Sequence, residues 1–304
     1  DRVYIEKFLE EPHHIEIQIF ADNDGNVVSL GERECSLQRR YQKIIEETPS
    51  PFIDDELRAL LSNTAIKITK ACHFSGAGTV EFLVDKHKTF YFLEMNTRLQ
   101  VEHPVTETVT NIDLVCEQIS VAAGNKLSFC QKDIQPSGHA IECRIYAEDG
   151  FNNFSPSTGI ISNMIIPQGL GVRFDDGVRV HQEITPYYDP LLGKLITWGA
   201  NREIAIKRMI RSLKEFEISG IITSIPFCLL MIQHKSFNEG KYCTHTLNEI
   251  SDELLNKLKA HQEDRFLSAG VTAALHSINS QKKITHSSVL EKSVSKWKQS
   301  GDQE

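Results

Sequence analysis

The stretch Thr79-Val80-Glu81-Phe82-Leu83-Val84, then Asp85 to Lys88, then Thr89-Phe90-Tyr91-Phe92-Leu93-Glu94-Met95-Asn96-Thr97-Arg98-Leu99-Gln100-Val101-Glu102-His103-Pro104 decides how the rest of the chain is read. Two apolar, aromatic-rich runs flank a short charged link, and Val, Phe and Tyr suit a pleated surface, so an antiparallel hairpin is expected. With a four-residue link, Val84 faces Thr89, Glu81 faces Phe92, and Glu94 lies diagonally across from Glu81 on the same face. Val80, Phe82, Val84, Tyr91, Leu93 and Met95 then form an apolar second face, where a one-residue slip would bury a carboxylate. Diagonal neighbours lie roughly 7–8 Å apart at the backbone, so Glu81, Glu94 and the Asn96 carbonyl are expected to converge on Mg²⁺ or Mn²⁺. A lone strand Glu is more often a solvated residue. The polar side chains crowded directly after this strand, from Asn96 to His103, favour a functional loop instead.

Outward from the hairpin, the N-terminal side reads as a further antiparallel opening. Val3 to Phe8 and Ile15 to Phe20 alternate apolar and polar, and Asp22-Asn23-Asp24-Gly25-Asn26 is a strong turn signal before Val27 to Leu30. Gln38-Arg39-Arg40-Tyr41-Gln42-Lys43 carries three cations; such a run is usually a solvated face, but cations beside a carboxylate-bound metal also stabilise phosphates. Asp54-Asp55-Glu56 followed by Leu57, Leu60, Leu61, Ala65 and Ile68 predicts an amphipathic helix with acids at its start. Phe74-Ser75-Gly76-Ala77-Gly78 is not a phosphate loop, because its glycines precede a strand rather than opening a helix. A second helix is expected over Asp113–Ala123, closed by Gly124.

From Pro136 the pattern changes to short strands. His139, Ile141, Cys143 and Ile145 alternate with Ala140, Glu142, Arg144 and Tyr146, placing Glu142 and Arg144 on one face. Further strands are expected over 160–166, 172–174, 178–183 and 191–198, then a helix capped by Asn201 and a short one over 227–233. From Ser251 the chain is helical, and Ser293 to Glu304 has too few apolar groups to pack, which predicts a linker or disordered tail.

A chain of 304 residues is long enough for two domains, and 40% hydrophobic with 24% charged residues describes an ordinary globular protein. A net charge of −8 argues against a nucleic-acid-binding surface, and no apolar run approaches a membrane span. The seven cysteines form neither a CxxC pair nor a regular framework, which suggests reduced thiols in a cytoplasmic enzyme. Asp1 to Glu6 read as mid-domain sequence, so the chain is expected to be the C-terminal portion of something longer.

Phe92-Leu93-Glu94-Met95-Asn96-Thr97-Arg98-Leu99-Gln100-Val101-Glu102-His103-Pro104-Val105-Thr106-Glu107 closely resembles the signature of biotin carboxylases, the ATP-grasp components of biotin-dependent carboxylases. The resemblance extends through Glu6-Lys7-Phe8-Leu9, His13 to Gln18, Glu32 to Lys43, His139 to Arg144 and Tyr187-Tyr188-Asp189-Pro190-Leu191-Leu192-Gly193-Lys194-Leu195, covering about residues 1 to 250. It implies an α+β fold: the C-terminal lobe of an ATP-grasp domain with an antiparallel sheet over 1–131, a biotin carboxylase C-terminal domain over 132–250, and a helical extension over 251–304. It implies MgATP-driven carboxylation of carrier-linked biotin by bicarbonate through carboxyphosphate. Two Mg²⁺ or Mn²⁺ ions fall to Glu81, Glu94 and Asn96, and the nucleotide to Glu6, Lys7, Leu9, His14, Gln38 and Leu83 with the two glutamates. Bicarbonate falls to Lys43, Arg98, Gln100 and the Val101 backbone; Glu102 becomes the base, and Arg144 stabilises the biotin enolate. Tyr41 stands where the family has His, which puts a ribose contact there in doubt.

The implied partners are a second copy of the chain, a biotin carboxyl carrier protein or domain, and a carboxyltransferase subunit. No Ala-Met-Lys-Met sequence is present, so the biotin-bearing lysine belongs elsewhere. Without the family's N-terminal domain and glycine-rich lid, the chain alone is expected to bind ATP weakly and turn over little. Two rivals stand beside this reading: another ATP-grasp ligase resembling carbamoyl-phosphate synthetase, and a non-catalytic assembly module. The Tyr-Tyr-Asp-Pro-Leu-Leu-Gly-Lys stretch argues against the first.

Overall fold

Alternation in the N-terminal segment is carried out in the backbone as a run of antiparallel strands. The computed structural model describes Val3 and residues 5–293, and for 261–266 and 279–293 the backbone alone. In chain order the elements are β1 (His13–Ala21), β2 (Val27–Arg39), β3 (Gln42–Thr48), α1 (Asp55–Ala71), β4 (Gly76–Val84), β5 (Phe90–Asn96), α2 (His103–Thr110), α3 (Leu114–Ala122) and β6 (His139–Tyr146). There follow β7 (Glu148–Asp149), β8 (Ser155–Pro156), β9 (Gly159–Ile160), β10 (Asn163–Ile165), β11 (Val172–Asp176), β12 (Glu183–Ile184) and β13 (Leu191–Gly199), then α4 (Arg202–Glu215), β14 (Glu217–Ser219), α5 (Ile225–Gln233), α6 (Lys235–Asn238) and α7 (Thr246–Ser293).

Eight strands form one sheet in the order β11-β13-β6-β3-β2-β1-β4-β5, every neighbouring pair antiparallel. The sheet runs through the expected boundary near residue 131 without interruption, because β3 of the first segment pairs with β6 of the second. On one face Ile15, Ile17 and Ile19 join Val80, Phe82 and Val84 beneath Leu57, Leu61 and Ala65 of α1, a helix started by the Asp54 side chain accepting from the Leu57 amide. Beneath α4 and α5, Ile141, Cys143, Ile145 and Leu195 pack against Ala205, Met209 and Leu213. The opposite face is covered by α2, whose Val105 and Val109 rest on Ala140 and Ile196.

Several expectations need correction. The link in the central hairpin is five residues, with Val84 opposite Phe90, and an irregularity at Leu93 brings Glu94 directly opposite Glu81 rather than diagonal to it. Were Leu93 an ordinary paired position, strict alternation would have put Glu94 on the face of Phe90, which packs in the α1 core with Met95. Residues 5–9 are not a strand, although Leu9 is buried. The expected strand over 178–183 shrinks to Glu183–Ile184, and 160–166 splits into β9 and β10. The loop read from Asn96 to His103 ends in a helix over His103–Thr110 that was not expected. The tail expectation for 294–304 lies outside the described residues. Residues 256–293 form a second compact unit, a helix with exposed Leu267, Val271, Leu275 and Ile278.

Candidate active site

Polar residues on β1 alternate with the isoleucines, so His14, Glu16 and Gln18 share a face of a strand that lies between β2 and β4. Register then stacks charge across the sheet: Glu16 lies opposite both Arg33 and Glu81, and Gln18 opposite Thr79. Arg33 is fully buried, with Nε donating to Glu16 at 2.5 Å, Nη1 to Gln18 at 2.6 Å and Thr106 at 3.0 Å, and Nη2 to Gln100 at 2.9 Å and Thr79 at 3.1 Å. All five guanidinium hydrogens are used, which removes the penalty of burying them and ties α2 and the loop before it to the sheet.

Above this layer is a cavity of about 360 Å³ lined by His14, Gln38, Tyr41, Gln42, Lys43, Glu81, Glu94, Asn96, Arg98, Gln100, Val101, Glu102, Arg144, Tyr146 and Asp189. Lys43 is its hub: Nζ lies 2.5 Å from Glu16, 2.5 Å from Glu102 and 3.4 Å from Glu81. Burial alone would depress the Lys43 ammonium, but these carboxylates, Glu16 foremost, raise it well above 10.5. Glu102 accepts from Lys43 on one oxygen and from Arg144 Nη2, at 2.9 Å, on the other. Arg144 Nε donates to Glu46 at 2.6 Å; burial opposes the Arg144 charge, and Glu46 and Glu102 more than offset it.

Glu81 has one oxygen on His14 Nε2 at 2.8 Å and the other on Gln100 Nε2 at 2.6 Å and Asn96 Nδ2 at 3.0 Å. Burial pushes its carboxyl up, but the His14 hydrogen bond and the Lys43 charge win and hold it at about 2. Gln38 Nε2 donates to His14 Nδ1 at 2.9 Å, which puts the ring hydrogen on Nε2, 2.8 Å from the Glu81 carboxylate. Asn96 departs from expectation: its amide nitrogen, not its carbonyl, spans the pair, donating at 3.0 Å to Glu81 and to Glu94. The physical reason is that two facing carboxylates need a donor between them. Glu81, and the exposed Glu94 beside it, present hard oxygen donors to the cavity, which suits a divalent cation.

The structure thus brings His14, Gln38, Lys43, Glu81, Glu94, Asn96, Arg98, Gln100, Val101, Glu102 and Arg144 to one cavity. Four nucleotide candidates do not line it. Lys7 donates to the Tyr91 hydroxyl at 2.8 Å, and Leu83 lies opposite both Tyr91 and His14, at the hairpin end of the same face; Leu9 is buried and Glu6 exposed. Of the basic run, Arg39 is committed to Glu148 and Arg40 to Asn153, leaving Lys43 as its cation in the cavity. Sequence reasoning missed Glu16, Arg33, Glu46, Tyr146, Asp189 and Lys194, whose Nζ donates to the Val101 carbonyl at 2.8 Å. The polar alternation of β1 carried a signal for Glu16; the others are set by cross-strand neighbours far away in sequence.

An antiparallel sheet with a basic hub, an acidic pair opposite on neighbouring strands and an arginine-glutamate pair at one wall has the chemistry an ATP-grasp enzyme needs to hold a metal-bridged nucleotide. Residues 1–130 match the carbamoyl-phosphate synthase L chain ATP-binding domain, and residues 142–249 the biotin carboxylase C-terminal domain. The chain belongs to the biotin carboxylase family. It is 52% identical to biotin carboxylase 1 of Bacillus subtilis, covering 81% of this chain and 55% of that one, and 51% identical to a biotin carboxylase of Nostoc, covering 82% and 56%. The dimeric biotin carboxylase domain of Hydrogenobacter thermophilus 2-oxoglutarate carboxylase, in complex with MgADP, ADP and bicarbonate, superposes with a TM-score of 0.80 at 45% identity, covering 82% of this chain and 55% of that one. The chain therefore spans about half the length of the relatives it matches. The C-terminal match separates it from a carbamoyl-phosphate synthetase, which the first match alone does not.

Proposed function

We propose that the protein containing this chain carboxylates carrier-linked biotin, using ATP and bicarbonate by way of carboxyphosphate. The observation that carries the reading is Glu102, buried, with one oxygen on Lys43 and the other on Arg144 at the wall of a cavity that also holds Arg98. Arg98 and Gln100, with the Val101 backbone, orient bicarbonate through planar guanidinium and amide donors. Glu102 takes the bicarbonate proton as the oxygen attacks the terminal phosphoryl group, and Lys43 stabilises the charge that develops there. Arg144 stabilises the biotin enolate. Glu81 and Glu94, with Asn96 once its amide turns its carbonyl toward them, would hold the divalent cations, which neutralise the phosphate oxygens when bound.

His14, Gln38 and, at the hairpin end, Lys7 and Leu83 lie toward the nucleotide side, with Glu6 and Leu9 nearby in sequence. A carboxyl carrier and a carboxyltransferase are the partners, and a dimer the assembly; residues 1–131, 132–250 and 251–304 are the ATP-grasp portion, C-terminal domain and extension. In the full-length protein, bicarbonate-dependent ATP hydrolysis should rise on adding free biotin. Glu102→Gln should lower it by about 10²–10⁴-fold while nucleotide binding, followed by calorimetry, stays intact. Turnover retained in that variant would overturn the role of Glu102; ATP binding without any biotin-stimulated hydrolysis in the wild type would favour an assembly module.

A further inference from the structure

Beneath α2, two carboxyls meet with too few donors. Glu46 of β3 and Glu142 of β6 are direct cross-strand partners, and both are fully buried. Glu46 gives one oxygen to Arg144, but its Oε2 and both oxygens of Glu142 have no hydrogen-bond partner among the described residues. The charged groups around Glu142 are Glu46 from β3, Arg144 from its own strand, Lys194 from β13 and Glu102 from the turn before α2. From β2, Arg33 is taken up by Glu16, Gln18, Thr79, Gln100 and Thr106, and from α2, His103 Nδ1 donates to the Gln100 carbonyl.

We propose that Glu142 is a positioning residue for this site: it stays uncharged and shares one proton with Glu46, so that Glu46 shows Arg144 a single negative charge and the guanidinium is fixed between Glu46 and Glu102. The role in turnover rests on the function proposed above; the shared proton does not. Cross-strand partners bring their side chains within reach of each other. A hydroxyl on Glu142 donating to Glu46 Oε2 satisfies both of those atoms and leaves the last oxygen an uncharged carbonyl. Charge around Glu142 agrees, since three carboxyls (Glu142 itself, Glu46 and Glu102) face two cations (Arg144 and Lys194) there. Burial, then the neighbouring Glu46, drives Glu142 well above the usual carboxyl range, and burial lifts Glu46 to about 7 against the pull of Arg144.

Loss of the shared proton puts a second negative charge behind Arg144, drawing it away from the cavity and weakening its hold on an anion there. In the full-length protein the KM for free biotin should therefore rise about tenfold on the alkaline side, the equivalent of one pKa unit of interaction. Glu142→Gln copies the uncharged state, so its KM stays flat over the same range, while Glu142→Leu, which offers Glu46 no donor, raises KM already at neutral pH. Infrared spectra at pH 7 should show a protonated-carboxyl carbonyl band that shifts in D₂O and is missing in Glu142→Gln. Melting temperatures of the two proteins should diverge as pH rises, with Glu142→Gln the more stable. Absence of the band from the wild type, or its survival in Glu142→Gln, overturns the shared proton even if the enzyme is inactive. A KM in Glu142→Gln that still climbs with pH overturns the positioning role.

Discussion

Arg33 shows how far one side chain can organise a site it does not line. Its five hydrogen bonds join β1, β2, β4, the loop at Gln100 and the second turn of α2. Removing the guanidinium leaves Glu16 buried with Lys43 as its remaining ion-pair partner. Arg33→Met should therefore cost about 3–5 kcal/mol in urea denaturation, the range for breaking a buried pair. Arg33→Lys should not restore it, because three ammonium hydrogens cannot replace a planar fork of five; full stability in the lysine variant would contradict this account. The site was legible where the sequence carries a long local signature, from Glu94 to Glu102. Arg33 and Glu46 were not, because their partners lie across the sheet, and a lone charged residue in a strand reads as solvated.

At the level of elements, the hairpin was anticipated and its register was not. Strict alternation cannot place Phe90 and Met95 against one core while Glu94 and Asn96 face the other way; the unpaired Leu93 changes the parity between them. Deleting Leu93 should then straighten β5 and still leave Glu81 opposite Glu94. Inserting an alanine after Leu93 should turn Glu94 and Asn96 toward the core. Titrated with Mn²⁺, the insertion should lose at least about tenfold in affinity and the deletion should lose far less; equal losses would refute the parity argument. The helix at His103 was hidden by its polar start, although Pro104 in its first turn is a recognised opening signal. Its residues face the sheet through Val105 and Val109, a spacing too short to stand out.

Across the whole molecule, residues 1–255 form one compact unit whose eight-stranded sheet runs through both matched family segments, so these should unfold together. Urea transitions followed by circular dichroism and by fluorescence should coincide, whereas a plateau between them would show the segments to be independent. Its pH dependence has two opposed limbs. Glu16, Glu47 and Glu81 are held at about 2, so the stability they give is present above 4.5 and lost as pH falls toward 2. The Glu46–Glu142 pair, both carboxyls raised and Glu46 to about 7, works the other way: its contribution is complete below 4.5 and is lost as pH rises through 7. The melting temperature should peak on the acid side of neutrality, and a flat profile from pH 5 to 8 would count against the buried Glu46. Fold class followed from local alternation; the continuity of the sheet did not, because the pairing of β3 with β6 spans about ninety residues.

The Lys194 ammonium, set on a strand of the second segment, grips the Val101 carbonyl of the first. A chimaera that exchanged one segment for a relative's would thus inherit the loop at Val101 from one parent and the clamp on that loop from the other. Recombination within such proteins is constrained at this seam, and lineages that trade one half must keep a lysine at this place in the other.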